Sequence, residues 1–471
     1  YTNDVTDPNE KKYTLKYYID LVKDLEKAGA HIIAIKDMAG LAKPNAIKKL
    51  VNEIKQTTDL PIHFHTHDTS GTSSASVLAA IEEKVDIVDL AIDSMSGLTS
   101  QPALGSIVSI MKQNHQDPKL DEEAIRTLSL YWEQVRQNYH AFETDFKGGS
   151  SDVYLHQMPG GQFTNLKEQA RSLGITTDKW GMVANKYAEV NQLFGDIVKV
   201  TPSSKIVGDM ALYMIANDLS KEDVLDPKKE ISFPASVIEF FKGEIGIPHG
   251  GFPKELQKKV LGDTKPLTKR PGEVLESVDL DKEAKNLEDE IGMKINQTHL
   301  ASYLMYPKVF KDYVDHFKEF SDTSILSTEL FFYGPQQDKE YTIEIDRGKN
   351  LILRYLAKSE VNSNGKCSVF FEINGQPRTI DIENKEFSKN IIQRAKADDN
   401  NSDHVGSPLP GQVAKIFVQS GSKVIKGDKL LVIEAMKMET TINADKSGTI
   451  KAINVASGDN VETKDLLVEI S

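Results

Sequence analysis

A chain of 471 residues exceeds the size at which one hydrophobic core keeps growing, so several domains are expected. The formal net charge of −13 and sequence pI near 5.4 argue against nucleic acid or an anionic membrane surface as the main partner and favour a small-molecule substrate. A single cysteine, Cys367, rules out an internal disulfide framework and suits a reducing cytoplasm.

No run of about 18 apolar residues and no charged-then-apolar leader occurs, so no membrane span is expected. Tyr1-Thr2-Asn3-Asp4-Val5 lacks an initiator methionine and runs almost directly into patterned sequence, as expected of a piece cut from a longer chain.

Residues 14–27 set Leu15, Tyr18, Ile19, Val22 and Leu25 on one helical face, and Ala28-Gly29 ends that helix. His31 to Lys36 is nearly continuously apolar, as a parallel strand covered on both faces should be, and runs into Lys36-Asp37-Met38-Ala39-Gly40. Pro44 suits a helix start, with Ala46, Ile47, Leu50, Val51 and Ile54 as the inner stripe. The cycle repeats with a strand over Pro61–Asp68, a helix over Ser73–Glu83, and a strand over Val85–Ile92 that ends in Asp93-Ser94-Met95-Ser96-Gly97.

Strands alternating with helices imply a parallel sheet, either open or closed into a (β/α)₈ barrel. The polar groups at Lys36-Asp37, His65-Thr66-His67-Asp68 and Asp93-Ser94 all fall at strand C-terminal ends, where barrels carry their chemistry, and no glycine-rich dinucleotide loop is present. Three strands do not close a barrel, so roughly five more belong upstream if the barrel reading holds.

From residue 121 the pattern turns helical. Ile125, Leu128, Trp132, Val135 and Tyr139 share a face, and Asp121-Glu122-Glu123 favours that helix's N-terminus. Further helices run to about 320, broken at Met158–Gln162, Val200–Lys205 and Gly246–Pro253. Residues 329–382 read as β: Leu330–Phe332, Tyr341–Ile345, Leu351–Leu356 and Ser368–Ile373, then an Asn374-Gly375 hairpin and Arg378–Ile380. Phe387–Ala395 reads as a short helix, and the polar Lys396–Asp403 as a flexible linker.

Beyond the linker the sequence repeats itself. Gly411–Ile433 aligns with Gly448–Ile470 at a constant offset of 37 residues, matching Ile416 with Ile453, Val424 with Val461 and Asp428 with Asp465. Two copies of an alternating-apolar unit imply two small sheets related by a pseudo-twofold. Between them lies Glu434-Ala435-Met436-Lys437-Met438-Glu439-Thr440, expected as an exposed hairpin tip presenting Lys437 to a modifying enzyme. The bland alternative is an ordinary surface lysine. The motif resembles the biotin carrier domain of biotin-dependent carboxylases, which implies biotin on Lys437 and a biotin protein ligase as partner.

His63, His65 and His67 alternate along a strand and share a face, and neutral imidazoles at i and i+2 can bind one divalent ion with Asp68 or Thr66 in support. The competing reading makes them inward barrel residues hydrogen-bonded to neighbours. For Lys36, residue types alone favour a salt bridge to Asp37 or Asp93 over ligation. For Thr201, in Val-Thr-Pro-Ser-Ser-Lys, they favour a helix cap.

Lys36-Asp37-Met38-Ala39-Gly40, His63–Asp68 continuing into Thr69-Ser70-Gly71, and Asp93–Gly97 resemble the carboxyltransferase barrel of the pyruvate carboxylase family. That resemblance implies Zn²⁺ or Mn²⁺ on His65, His67 and carbamylated Lys36, with a fourth, aspartate ligand and the pyruvate-binding arginine and tyrosine upstream of Tyr1. It also implies Thr201 as a proton relay between pyruvate and biotin.

The implied architecture is multidomain α/β. It comprises part of a (β/α)₈ TIM barrel (1–120), a helical extension (121–320), a small β-rich tetramerisation or allosteric domain (321–395), a linker (396–403) and an all-β barrel-sandwich biotinyl domain (404–471). The implied activity is carboxyl transfer from carboxybiotin to pyruvate, giving oxaloacetate, with a biotin carboxylase domain elsewhere in a homotetrameric full-length protein. The alternatives are the α subunit of a biotin-dependent oxaloacetate decarboxylase and an inactive carrier or assembly fragment. These differ in what precedes Tyr1 and in whether the fragment decarboxylates oxaloacetate.

Overall fold

The computed structural model describes residues 1–144, 146–361, 366–383, 395–398, 401–435 and 438–471. The expected short helix over Phe387–Ala395 lies outside them but for Ala395. The chain divides into two compact units, Tyr1–Glu273 with Ala395–Ser471, and Val274–Arg394.

The first unit opens with the expected β/α alternation. Helix Leu15–Lys27 precedes β1 (Ile33–Asp37), helix Pro44–Thr57 leads to β2 (Ile62–Thr66), and helix Ser73–Glu82 leads to β3 (Ile87–Val88). The strands form a parallel sheet in the order β1-β2-β3, with Lys36 opposite His65 and Phe64 opposite Val88. Pro44 occupies the first turn of its helix, where its missing N–H costs nothing, and Ala46, Ile47, Leu50, Val51 and Ile54 are its buried stripe. Ile33, Ile35, Ile62 and Phe64 face that helical layer, whereas Lys36, His63 and His65 point to the other side.

β3 is much shorter than Val85–Ile92. Past Val88 the edge continues only through Asp89 N donating to Phe64 O at 3.1 Å and an isolated parallel bridge between Ala91 and Ala103.

Helix Glu122–Arg136 forms as expected, capped by Asp121 accepting from Glu123 N and Ala124 N, but of its stripe only Ile125 is buried. Leu128, Trp132 and Tyr139 are exposed. The helices from Gly160 to Leu261 instead build the large core around Phe194, Tyr187, Met210 and Phe241.

The second unit holds helices Leu280–Ile291, Gln297–Met305 and Pro307–Phe320, packed through Leu287, Ile291, Phe310 and Val314. These residues were expected in the helical extension ending at 320, yet they share a compact unit with the following sheet. Leu330–Phe332 is helical rather than extended: Ser327 caps helix Thr328–Tyr333 by accepting from Leu330 N. Strands β4 (Glu340–Asp346), β5 (Lys349–Lys358), β6 (Lys366–Ile373) and β7 (Gln376–Glu383) then form an antiparallel meander. Asn374 and Gly375, both at positive φ, make its last turn, matching the paired left-handed geometry that Asn-Gly tolerates.

In the first unit again, residues 404–471 give β8 (His404–Gly406), β9 (Gly411–Ile416), β10 (Lys423–Val424), β11 (Lys429–Ala435), β12 (Met438–Asn443), β13 (Gly448–Ile453), β14 (Asn460–Val461) and β15 (Leu466–Ile470). They pair as two four-stranded sheets, β10-β13-β15-β8 and β12-β11-β9-β14. The described part of 396–403 is not a free tether. Lys396 pairs with Asp465 at 2.7 Å, Ala397 N donates to Lys464 O, and Lys446 pairs with Asp403, because the polar residues that look linker-like each find a partner on the sandwich edge. Among the described residues no helix is long and apolar enough to cross a membrane.

Candidate functional site

The C-terminal ends of β1 and β2 bring Lys36, His65 and His67 together. The β1 backbone is locked by Asp37, fully buried, whose carboxylate accepts from Leu41 N, Ala42 N and Thr66 Oγ1, each at 2.9 Å. Those bonds occupy the acid that residue types offered as the salt-bridge partner of Lys36. Asp93 is likewise committed, accepting from Gly105 N at 2.7 Å. Lys36 therefore stands exposed, with neither expected ion pair formed among the described residues.

His67 Nδ1 lies 2.6 Å from the Thr99 carbonyl oxygen. A carbonyl can only accept, so Nδ1 carries the proton, and burial holds the imidazole below its ordinary pKa and hence neutral. His65 Nδ1 lies 2.7 Å from Asp89 Oδ2, again a donor to an acceptor. The same carboxylate reaches His63 Nε2 through Oδ1 at 2.8 Å. Partial burial pushes the Asp89 carboxyl up, but the His63 and His65 imidazoles beside it outweigh burial and leave it below the usual range.

With both Nδ1 atoms donating, neutral rings present their Nε2 atoms as acceptors, and these face each other at 3.2 Å. Two lone pairs at that separation repel unless a proton or a cation sits between them. The donor set, two imidazoles with orienting partners behind each, fits a first-row divalent ion, Zn²⁺ as it stands or the harder Mn²⁺ with added oxygen ligands. Among the described residues no three His, Cys, Asp or Glu side chains cluster as a metal site.

The supporting residues differ from those expected. Thr66 is turned toward Asp37 and Asp68 accepts from Ser73 N, while Asp89 and the Thr99 carbonyl hold the rings. The missed signal was Asp89, an acid within the apolar run Val88-Asp89-Leu90. Extending the register in which His63 faces Ile87 and Phe64 faces Val88 sets Asp89 beside His65.

Two glycines allow this crowding. Gly40, at φ +70°, carries no Cβ where one would come within 2.3 Å of His67 O, and a Cβ on Gly160 would lie 2.9 Å from both His67 Nδ1 and Thr99 O.

Thr201 is exposed just before helix Ser203–Ala216. The cap position falls on Pro202 with no side-chain cap bond, and Ser203 Oγ, not Thr201, accepts from Val200 N, so the helix-cap expectation fails.

At the other candidate, Ala435 and Met438 are cross-strand partners on β11 and β12, and Met436 and Lys437 between them lie outside the described residues. The internal repeat is realised down to its hydrogen bonds. Ser420 Oγ donates to Lys451 O and Ser457 Oγ to Ala414 O, and each pair maps onto the other at the same offset. A Cβ on Gly411 would meet Glu434 O at 2.5 Å, and one on Gly448 the equivalent Ser471 O at 2.4 Å.

Comparison with known proteins matches three family models along the chain: HMGL-like over 4–131, conserved carboxylase domain over 153–354, and biotin-requiring enzyme over 403–470. Pyruvate carboxylase of Bacillus subtilis is 46% identical over 470 residues, covering 100% of this chain and 41% of that protein. Over this shared region the chain belongs to the pyruvate carboxylase family.

The complete pyruvate carboxylase of Rhizobium etli superposes over 100% of this chain and 43% of its own, with TM-score 0.74 and 51% identity. The carboxyl transferase domain of the Rhizobium etli pyruvate carboxylase, solved with pyruvate and biocytin, covers 82% of this chain and 64% of its own, with TM-score 0.76 and 54% identity. The chain thus spans about two fifths of the length of the full pyruvate carboxylases it matches. Its multidomain α/β fold is the expected one: an HMGL-like TIM-barrel region, a helical carboxyltransferase region and a biotinyl domain of antiparallel sheets.

Proposed function

We propose that this chain performs the carboxyl transfer between biotin and pyruvate that yields oxaloacetate, with Lys437 as the biotinylated residue and the His65–His67 pair as the seat of a divalent cation. The observation that carries this reading is the pair of opposed Nε2 atoms at 3.2 Å, at the mouth of a parallel sheet in a chain that also bears a biotinyl domain.

When bound, the cation supplies Lewis acidity toward a keto-acid carbonyl. His65 and His67 hold it through Nε2, while Asp89 and the Thr99 carbonyl fix the ring tautomers. Lys36, opposite His65 in the register, adds a ligand as its carbamate, since an ammonium would be repelled. Thr201 Oγ1 takes a proton from the methyl carbon of the keto acid and hands its own to the biotin that has given up its carboxyl group, which a hydroxyl does because it both accepts and donates.

The exposure of Thr201 and its freedom from capping support this role. Partners under the same reading are pyruvate and oxaloacetate, a biotin protein ligase, a biotin carboxylase domain of the full-length protein and further copies in a homotetramer, in the cytoplasm.

Three measurements test the assignment. Elemental analysis of His65→Ala/His67→Ala protein should show the metal lost, and undiminished content would defeat the cation seat. Oxaloacetate decarboxylation should collapse in Thr201→Ala, and unaltered turnover would remove Thr201 from the reaction. Intact-mass measurement after co-expression with a biotin ligase should show one biotin, absent in Lys437→Ala.

A further inference from the structure

Helix Trp180–Leu193 ends just before Gly195-Asp196, and the chain then runs without helix or strand through Thr201 to helix Ser203–Ala216. Asp196 stands at φ +53°, a left-handed backbone that aspartate tolerates better than most residues. It is the hub of that loop. Its carbonyl oxygen accepts from Lys12 Nζ and Tyr13 Oη, each at 2.8 Å, and its carboxylate from Asn191 Nδ2 at 2.8 Å and Asn3 Nδ2 at 3.2 Å. Lys199, its side chain 2% exposed, brings Nζ to 3.7 Å from Asp196 Oδ1 and donates to Ile197 O at 3.2 Å. Burial lowers the Lys199 pKa to about 8, and Asp196 opposes that fall. At the other end Ser203 Oγ closes the loop on Val198 O and Val200 O, at 2.6 Å each. On the sheet side, Tyr1 N donates to Lys36 O at 2.8 Å, so Asn3, Lys12 and Tyr13 belong to a segment that leaves the sheet beside Lys36.

We propose that Asp196 is a positioning residue for the transfer step: it ties the loop bearing Thr201 to the segment beside Lys36 and so fixes where Thr201 Oγ1 stands relative to the cation seat. The inference deepens the carboxyl-transfer reading and rests on it for the role of Thr201. An irregular loop has no ladder to hold it, so its shape is set by the side chains that satisfy its backbone. Three of the bonds at Asp196 span 183 to 193 residues of sequence, which makes this residue a joint between the barrel part and the helical part rather than a local turn. A proton carrier needs such a joint, because transfer to and from a hydroxyl requires the reacting atoms to stay within hydrogen-bond reach. Asp196 acts through Thr201 and takes no part in the chemistry itself.

The test uses the full chain with Cys367→Ser and nitroxide labels on Thr201→Cys and Lys49→Cys, the latter exposed on helix Pro44–Thr57. Pulsed electron–electron double resonance should give a single narrow distance peak. Asp196→Ala, which removes both carboxylate oxygens, should lose that peak to a broad distribution, and Tyr13→Phe, which deletes one hydroxyl and fills the same space, should broaden it less. A second label pair, Asn217→Cys with Lys49→Cys, reads the far end of the helix that Thr201 precedes and should keep its peak throughout. In the unlabelled chain, kcat for decarboxylation of oxaloacetate with biotin supplied in solution should fall by about 10- to 100-fold in Asp196→Ala at unchanged KM, since a misplacement of about 1 Å at a reacting group costs up to about 100-fold. With Thr201→Ala already in place, Asp196→Ala should lower kcat no further. A peak at Thr201→Cys as narrow as the parent's in Asp196→Ala, or in Tyr13→Phe where Asp196→Ala does not fold, would overturn the positioning role, as would broadening shared by the Asn217→Cys pair or losses that multiply in the double variant. Absence of decarboxylation by the parent chain would count against the carboxyl-transfer reading, while the label distances then decide by themselves whether Asp196 holds the loop.

Discussion

Replacing Gly160 by alanine probes the cation seat without touching a ligand. The new Cβ would stand 2.9 Å from His67 Nδ1 and from Thr99 O, and 3.3 Å from Thr99 Cβ, wedging into the hydrogen bond that orients the His67 ring. Overpacking of this kind costs about 1–3 kcal/mol, against a gain of up to about 1 kcal/mol from alanine's better helix propensity, so the net loss of stability should be about 0–2 kcal/mol. Loss of a partner that orients a metal-bound imidazole lowers metal affinity by about 10–100-fold, far more than so small a change in folding would cause. Competition of Zn²⁺ against a chromophoric chelator, run beside thermal unfolding, should show that affinity loss in a protein that still folds. Gly161→Ala is the control, because its Cβ meets nothing within 4 Å, and it should bind as the parent does. Unchanged Zn²⁺ affinity in Gly160→Ala would refute the claim that the Thr99–His67 bond orients a ligand.

Asp37→Ala should destabilise the protein by about 3 kcal/mol or more in urea unfolding, since it strands the buried Leu41 and Ala42 N–H groups and leaves the Thr66 hydroxyl only its longer contacts to Ser73 and His67. Burial lowers the pKa of His156 to about 4. The unfolded chain protonates it near 6.5, so the unfolded state binds the proton first. Stability is then fully present above about pH 6.5 and declines as pH falls toward 4, by about 2 kcal/mol between pH 7 and pH 5. Urea unfolding at both pH values should show that slope reduced by this amount in His156→Gln. Gly411→Ala and Gly448→Ala, each driving a Cβ to within 2.5 Å of a carbonyl oxygen, should lower the biotinyl domain's melting point to a similar degree and reduce biotinylation together.

The features legible in the sequence were those encoded over short spans. The i, i+2 spacing of His65 and His67 follows from the strand period, and the stripe Ala46–Ile54 from the helix period. The pseudo-twofold of the sandwich follows from a repeat whose hydrogen-bonding serines and close-packed glycines recur at one offset. Local preference misled where neighbours overrode it. Leu330–Phe332 has strand-like composition yet coils under a Ser327 cap, the stripe of Glu122–Arg136 mostly faces outward, and the polar Lys396–Asp403 segment is bound to the sandwich edge wherever it is described.

The sequence by itself therefore determined which element carries each candidate side chain: imidazoles along β2 and just past its end, a lysine on β1, and a lysine between duplicated strands. Only the tertiary structure decided how they are held. The β2–β3 register sets Asp89 against His65, the loop after β3 brings the Thr99 carbonyl to His67, and Asp37 turns inward to the backbone rather than to Lys36. Each is a contact between segments distant along the chain, fixed by which backbone groups must be satisfied when the sheet and its loops close together, and no local pattern encodes it.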